Sequence, residues 1–232
     1  MRSQTRRRIA IIDNSVDPSI YKPVEHWSTA LFEEWVAFRA PEGELPGQTN
    51  DFSHVLLTGS EASILNHEKW MADEIEFVRD AFRRNRSILG SCYGHQLLAV
   101  ALAGRAHVRR CRKPEIGWIP IEILRANSLL GKKRRAWTFS LHYDEVIDLP
   151  QPFVVLASTA SCPIQAFGYP NRNVWGLQIH PEINIPAAQA LMKALVGLNP
   201  ESRLLYETAL ASRPRDSGLI LQIINNFLAF PP

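Results

Sequence analysis

The run Arg86-Ser-Ile-Leu-Gly90-Ser-Cys92-Tyr-Gly94-His-Gln96-Leu-Leu-Ala-Val-Ala-Leu-Ala-Gly104 leaves few ways to fold. Residues 87–90 read as a short buried strand. A sharp turn follows, then an apolar helix from about Gly94 to Gly104. A strand that turns straight into a helix brings two backbones together, and Gly90 and Gly94 remove the side chains that would keep them apart. Cys92, at the crest, is lifted out of the sheet. The helix N-terminus beneath it favours a thiolate. Such a thiol is a candidate nucleophile, provided the rest of the chain supplies a base and a group to orient it.

The segments before the elbow repeat its plan. Residues 8–13 and 54–58 are short continuous apolar runs, as expected of buried parallel strands. Residues 21–32 and 70–84 are expected helices, 34–39 a second strand and 41–50 a loop. Strand and helix alternate over the first hundred residues, which predicts a parallel sheet with crossover helices. Beyond the elbow, residues 107–111, 116–124, 136–141, 153–158, 163–167 and 174–179 read as closely spaced strands, an antiparallel extension of that sheet. Residues 187–198 and 201–211 are expected helices. Asp216 or Ser217 is the expected cap of a last helix, whose stripe is Leu219, Ile220, Ile223, Ile224, Phe227 and Leu228.

With 232 residues and 46% apolar composition, the chain can bury a substantial core. No linker or repeat divides it, so a single domain is expected over 1–232. Residues 1–8 would form a basic tail and 199–232 a helical extension, the expected site of any partner or oligomer contact. Net charge is only +3. The basic run Lys132-Lys133-Arg134-Arg135 lacks aromatic interleaving or a recognition motif, so no nucleic acid is expected. Three widely spaced cysteines make neither a disulfide framework nor a zinc site. No run has the length of a membrane span or a secretory leader. A soluble cytoplasmic protein follows as the expectation.

Among seven histidines, His180 stands apart. It closes the buried run Val174-Trp-Gly-Leu-Gln-Ile179 and precedes Pro181 and Glu182. Proline holds the preceding residue extended, and residues two apart in extended chain project to one side. Glu182 is therefore expected beside the His180 ring, fixing its tautomer. Donors for an oxyanion are expected from the Tyr93 N–H and from Gly59, with the Ser60 N–H as alternative. Gly59 and Ser60 follow the strand that would lie beside the elbow.

These residues carry a resemblance. Gly90-Ser-Cys92-Tyr-Gly94-His-Gln96 resembles the nucleophile motif of class I (triad) glutamine amidotransferases. Gly176-Leu-Gln-Ile-His180-Pro-Glu182 resembles their histidine–glutamate motif, and Leu56-Leu-Thr-Gly59-Ser60 stands in the place of their oxyanion loop. Ser140-Leu-His142-Tyr-Asp144-Glu-Val146 and Glu115-Ile-Gly-Trp118 are similar to segments of the amidotransferase domain of GMP synthase and its stand-alone relatives. The resemblance implies a flavodoxin-like three-layer αβα fold, mostly parallel but mixed. It implies a Cys92–His180–Glu182 triad acting through a γ-glutamyl thioester, without metal or organic cofactor. Gln96, His142, Asp144 and Ser60 would line the glutamine pocket.

Two departures bear on the substrate: Thr58-Gly59-Ser60 replaces Gly-Gly-Pro, and Tyr143 replaces a glycine after His142. The chain has no room for a synthetase. Three readings stand open. The first is a glutaminase whose ammonia acceptor is another protein. The second is a γ-glutamyl peptidase or hydrolase acting on small conjugates. The third is a regulatory module whose triad waits for a partner. Oligomeric state is left open.

Overall fold

The computed structural model describes residues 7–230. Arg2 and Arg6 of the expected basic tail lie outside them. In chain order the elements are β1 (Arg8–Asp13), α1 (Pro23–Ser28), β2 (Glu34–Arg39), β3 (His54–Leu57), α2 (Met71–Arg83), β4 (Ser87–Ser91) and α3 (Tyr93–Leu102). Then come β5 (Val108–Ile123), β6 (Arg134–Val146), β7 (Val154–Ser158), β8 (Ala166–Tyr169) and β9 (Val174–Leu177). Helices α4 (Ile185–Leu198), α5 (Arg203–Ala211) and α6 (Leu219–Ala229) follow. Among the described residues, no helix is long and apolar enough to cross a membrane.

One sheet runs β2-β1-β3-β4-β9-β8-β7-β5-β6. Its first five strands pair in parallel and the rest antiparallel. This is the flavodoxin-like mixed sheet with an antiparallel extension. Strand alternation sends Ala10 and Ile12 of β1 to one layer, with α2 and α3. It sends Ile9 and Ile11 to the other, with Trp27 of α1 and Leu219, Ile223 and Phe227 of α6. A third cluster joins α4 and α5 to the β5–β6 hairpin through Met192, Tyr206, Trp118 and Phe139. The segment expected as an extension thus supplies part of the core, with Phe227 of α6 meeting His54 of β3 and Trp175 of β9.

The elbow is as tight as its glycines allow. A Cβ on Gly94 would stand 2.4 Å from the Leu57 carbonyl oxygen, and one on Gly90 would stand 2.3 Å from that of Gly94. Both obstacles are backbone and cannot swing away. Gly94→Ala is expected to destabilise the fold by about 3 kcal/mol or more, read as a fall in Tm of about 6 °C or more.

Several expected boundaries move. The helix predicted over 21–32 spans only Pro23–Ser28, with proline at its start. The chain then leaves by short turns, Ala30 N–H to Trp27 O at 3.1 Å and Leu31 N–H to Ser28 O at 3.2 Å. Tyr21 is therefore outside the helix. Residues 107–111 and 116–124 belong to one strand, β5, irregular between Arg110 and Glu115. Its partner β6 runs past 141 to Val146, which places His142 and Asp144 on a strand. The last helix is preceded by Gly218 in left-handed conformation, with no side-chain cap. Asp216 Oδ1 accepts from the Gly218 N–H at 2.9 Å. Ser217 instead zips to β6, its N–H to Trp137 O at 2.9 Å and its Oγ accepting from Trp137 N at 2.8 Å.

Candidate active site

Cys92 sits between β4 and α3 at φ 48°, ψ −103°. A non-glycine residue there is strained, and the surrounding bonds hold it. Its N–H donates to Leu177 O of β9 at 2.7 Å, and the Gly94 N–H donates to Thr58 O at 3.0 Å. The elbow is thus tied to the strands on both sides. Tyr93 is the first residue of α3, so its N–H has no partner within the helix.

The structure brings His180, Glu182 and Cys92 together. His180 Nδ1 lies 2.8 Å from Glu182 Oε1. Cys92 and His180 line the same cavity. The connection between His180 and Glu182 differs from the expected extended chain. Residues 180–183 form a turn, with Ile183 N–H to His180 O at 3.3 Å. All three side chains are buried. Burial works to lower the His180 pKa, but the Cys92 and Glu182 charges outweigh it and lift it to about 10. The imidazole is thereby favoured in its protonated form.

Tyr21 joins this group, and sequence reasoning missed it by placing it in a helix. Its hydroxyl donates to Glu182 Oε1 at 3.0 Å and lies 3.4 Å from His180 Nδ1. Burial first, then the Glu182 charge, raise its pKa well above the phenol range, so it remains a donor. Pro23 at the start of α1 is the one sequence signal that Tyr21 precedes the helix. Nothing in the sequence says what it touches.

The loop after β3 is clamped. Asn14 donates its backbone N–H to Thr58 Oγ1 at 2.9 Å and its side-chain amide to Thr58 O at 3.1 Å. Thr58 Oγ1 then donates to Gly59 O at 3.0 Å. Gly59 passes directly under the catalytic candidates. A Cβ there would stand 2.9 Å from His180 Cε1 and 3.0 Å from the Tyr21 hydroxyl. Gly59→Ala is expected to leave the fold intact and to cut turnover at Cys92 about 100-fold by pushing the imidazole aside; steady-state kinetics check it. Ser60 lines the cavity, its Oγ accepting from the Ala62 N–H at 3.0 Å.

The remaining expected pocket residues have several partners. Gln96 donates its amide to Asp144 O at 2.9 Å and to Gln178 Oε1 at 3.2 Å. Asp144 accepts from the Ser63 hydroxyl at 2.5 Å and from Arg110 at 3.0 Å. Arg110, a second residue that sequence reasoning missed, also lies over the Tyr143 ring at 5.4 Å. Gln178 is a third. It belongs to the histidine motif, but no role was assigned to it. His142 lines the cavity, yet its ring is held within the wall, Nε2 against Glu115 at 3.0 Å and Nδ1 near Asp144 O at 3.1 Å.

Glu115, His142 and Cys162 bring donor atoms within 4.8 Å of one another, a spacing that could suit a metal. The carboxylate is already engaged. It accepts from the hydroxyls of Thr159 and Ser161 at 2.5 Å each, from the Gln165 amide, and pairs with His142. Burial works to raise its pKa, but His142, Ser161 and Thr159 outweigh that and hold it below its ordinary value. Four partners fill its lone-pair sites, and the cluster is a hydrogen-bonded wall.

Above Cys92 opens a cavity of about 670 Å³. Tyr21, Ser60, Gln96, Asp144 and His180 line its floor, and Leu191, Leu195, Leu198 and Tyr206 of α4 and α5 extend it outward.

Comparison with known proteins agrees with this arrangement. The chain is 32% identical over 137 residues to the glutamine-hydrolysing GMP synthase subunit of Sulfolobus acidocaldarius, covering 59% of this chain and 70% of that one. It is 40% identical over 102 residues to the protein of the same name from Thermococcus kodakarensis, covering 43% of this chain and 52% of that one. The chain thus spans about half the length of the second relative. A Thermotoga maritima glutamine amidotransferase crystal structure shares the fold, with a TM-score of 0.71, 23% identity and 96% coverage of both chains. The family model described as "Glutamine amidotransferase class-I" matches residues 35–194, a stretch holding the elbow, the clamped loop and His180-Pro181-Glu182. The chain belongs to the class I glutamine amidotransferases, a family of glutamine-hydrolysing enzymes that work through a cysteine.

Proposed function

We propose that this chain hydrolyses the side-chain amide of a γ-glutamyl group through a Cys92–His180–Glu182 triad. The observation that carries the reading is the buried grouping of Cys92, His180 and Glu182, with His180 Nδ1 2.8 Å from Glu182 Oε1 and with Cys92 and His180 lining one cavity. The Cys92 thiolate attacks the amide carbon, and charge moves onto the carbonyl oxygen. The N–H groups of Tyr93 and Gly59 receive that charge, with Ser60 as the alternative donor. His180 gives its proton to the leaving nitrogen, the C–N bond breaks, and ammonia departs. Water then attacks the thioester, His180 takes its proton, and glutamate leaves with Cys92 restored. Tyr21 and Glu182 hold the ring through both halves. The Asp144 carboxylate and Arg110 at the cavity wall suit the amino and carboxylate groups of an amino-acid head. The steps use the chain's own groups alone.

In this reading residues 1–232 form one amidotransferase-like domain, held in a reducing cytoplasm that keeps Cys92 as a free thiol. The relatives are each named as one subunit of a GMP synthase, which points to a synthetase on another chain as the acceptor of ammonia. The cavity favours a second reading of the substrate. Its volume is that of sites for drug-sized ligands, well beyond glutamine, and its outer part is lined by Leu191, Leu195 and Leu198 together with Asn199, Glu201 and Ser202. A γ-glutamyl peptide or amine would place its leaving group there. The clamped Thr58–Gly59 loop weighs against a latent regulatory triad, because the donor loop is already fixed.

The test is to incubate the purified protein with glutamine and, separately, with γ-glutamyl dipeptides, and to measure glutamate release. Release from glutamine supports the amidotransferase reading. Release from dipeptides alone replaces it with the hydrolase. Release from neither rejects both for the isolated chain.

A further inference from the structure

We infer that Gln178 is a catalytic hydrogen-bond donor to the Cys92 sulfur, and that Gln96 is the positioning residue that keeps its amide turned that way. The inference rests on Cys92 being the nucleophile.

The orientation follows from a chain of single choices. The Asp144 carbonyl is only an acceptor, so the end of the Gln96 amide that meets it at 2.9 Å must be the NH2. The second hydrogen of that NH2 points to Gln178 at 3.2 Å, so Gln178 must present its oxygen there. Its own NH2 is then turned to Cys92 Sγ, 3.6 Å away. Flipping either amide would set like against like along the whole row. Gln178 is fully buried and Gln96 nearly so.

The sulfur has a second neighbour of opposite kind. The Leu141 carbonyl lies 3.6 Å from Sγ, where it accepts from a neutral thiol. Gln178 favours the ionised sulfur and Leu141 the protonated one. A donor to an anion is worth more than an acceptor to a weakly polar S–H. The row therefore tilts the balance towards the reactive form before substrate arrives. Sequence alone does not expose this, because Asp144, Gln96 and Gln178 come from β6, α3 and the end of β9.

The test is the pH dependence of Cys92 alkylation by iodoacetamide, with the adduct located by mass spectrometry. In the wild type the midpoint belongs to the Cys92–His180 pair together. Gln178→Leu is expected to raise it by about one unit, lowering the rate near neutral pH about tenfold while sparing the plateau at high pH. Gln178→Glu, which sets an oxygen against sulfur, should raise it at least as far. Gln96→Leu frees the Gln178 amide to rotate and should raise it by about half a unit. A merely structural role would lower Tm without moving the midpoint. An unmoved midpoint in folded Gln178→Leu overturns the inference. If that variant does not fold, an unmoved midpoint in Gln96→Leu overturns it. Failure of wild-type Cys92 to alkylate at all would instead count against the nucleophile itself.

Discussion

Cys92→Ala is expected to lower glutamate release by at least about 10⁴-fold, because loss of the nucleophile leaves only binding and oxyanion donors to act on the substrate. The fold should survive. Alanine keeps the Cβ, and the strained backbone at φ 48° is held by the Leu177 carbonyl and the glycines on either side. What is lost is a sulfur with two 3.6 Å polar contacts. One further change follows from its charge. Cys92 is the largest influence raising the His180 pKa, so without it the imidazole should titrate well below the value of about 10 it has now. A glutamine-analogue electrophile should label wild-type Cys92 and leave the variant unlabelled. Wild-type turnover in Cys92→Ala, or labelling at Cys111 or Cys162 with Cys92 free, would remove the triad reading.

Glu74→Gln is expected to stabilise the protein by about 3 kcal/mol at pH 7, a rise in Tm of about 6–12 °C. Glu74 lies in the first turn of α2 with no exposed surface, and neither carboxyl oxygen receives a hydrogen bond. Asn14 approaches it, but the Asn14 amide is already given to Thr58 at 3.1 Å. Burial, opposed weakly by Asn14, lifts the Glu74 pKa from 4.5 to about 8. Between those values the folded protein holds a proton that the unfolded chain releases. Stability therefore falls by about 1.4 kcal/mol per pH unit as pH rises from 4.5 towards 8, and is constant beyond. Glutamine is neutral at every pH and escapes that cost. Its NH2 can also serve Asn14 Oδ1, which now lacks a donor. The gain should vanish near pH 4.5. Melting curves across pH check this, and a gain that does not depend on pH would refute it.

The parts legible in the sequence share a local cause. Ile9-Ala-Ile-Ile, His54-Val-Leu-Leu and Ser87-Ile-Leu-Gly are short apolar runs because both faces of each strand are covered. Gly90 and Gly94 announce a close approach, and an added Cβ at either would stand only 2.3–2.4 Å from a backbone oxygen. His180 and Glu182 are two residues apart, so their meeting needs only local geometry, although a turn rather than extended chain supplies it. Tyr21, Arg110 and Gln178 were not legible. Tyr21 and Arg110 reach the site from elements distant in sequence, and Gln178, although inside the histidine motif, meets partners on α3 and at the elbow. An aromatic, a cation or an amide in such a position looks like any other until the sheet order is known. The β5–β6 hairpin hid for a related reason. Lys113-Pro114 interrupts the pattern of β5, and the strand continues because β6 pairs with it on both sides of the irregularity.

The place of α6 has a consequence for how the molecule is made. Its Phe227 meets His54 of β3 and Trp175 of β9, so a strand made early is packed by a helix made well over a hundred residues later. Until then the cluster that also holds Leu89, on the strand that leads into Cys92, lacks one of its helices. Apolar surface left uncovered while a chain is being made is prone to aggregation. The reactive thiol gains its polar neighbours only once Leu141 and Gln178 have been made.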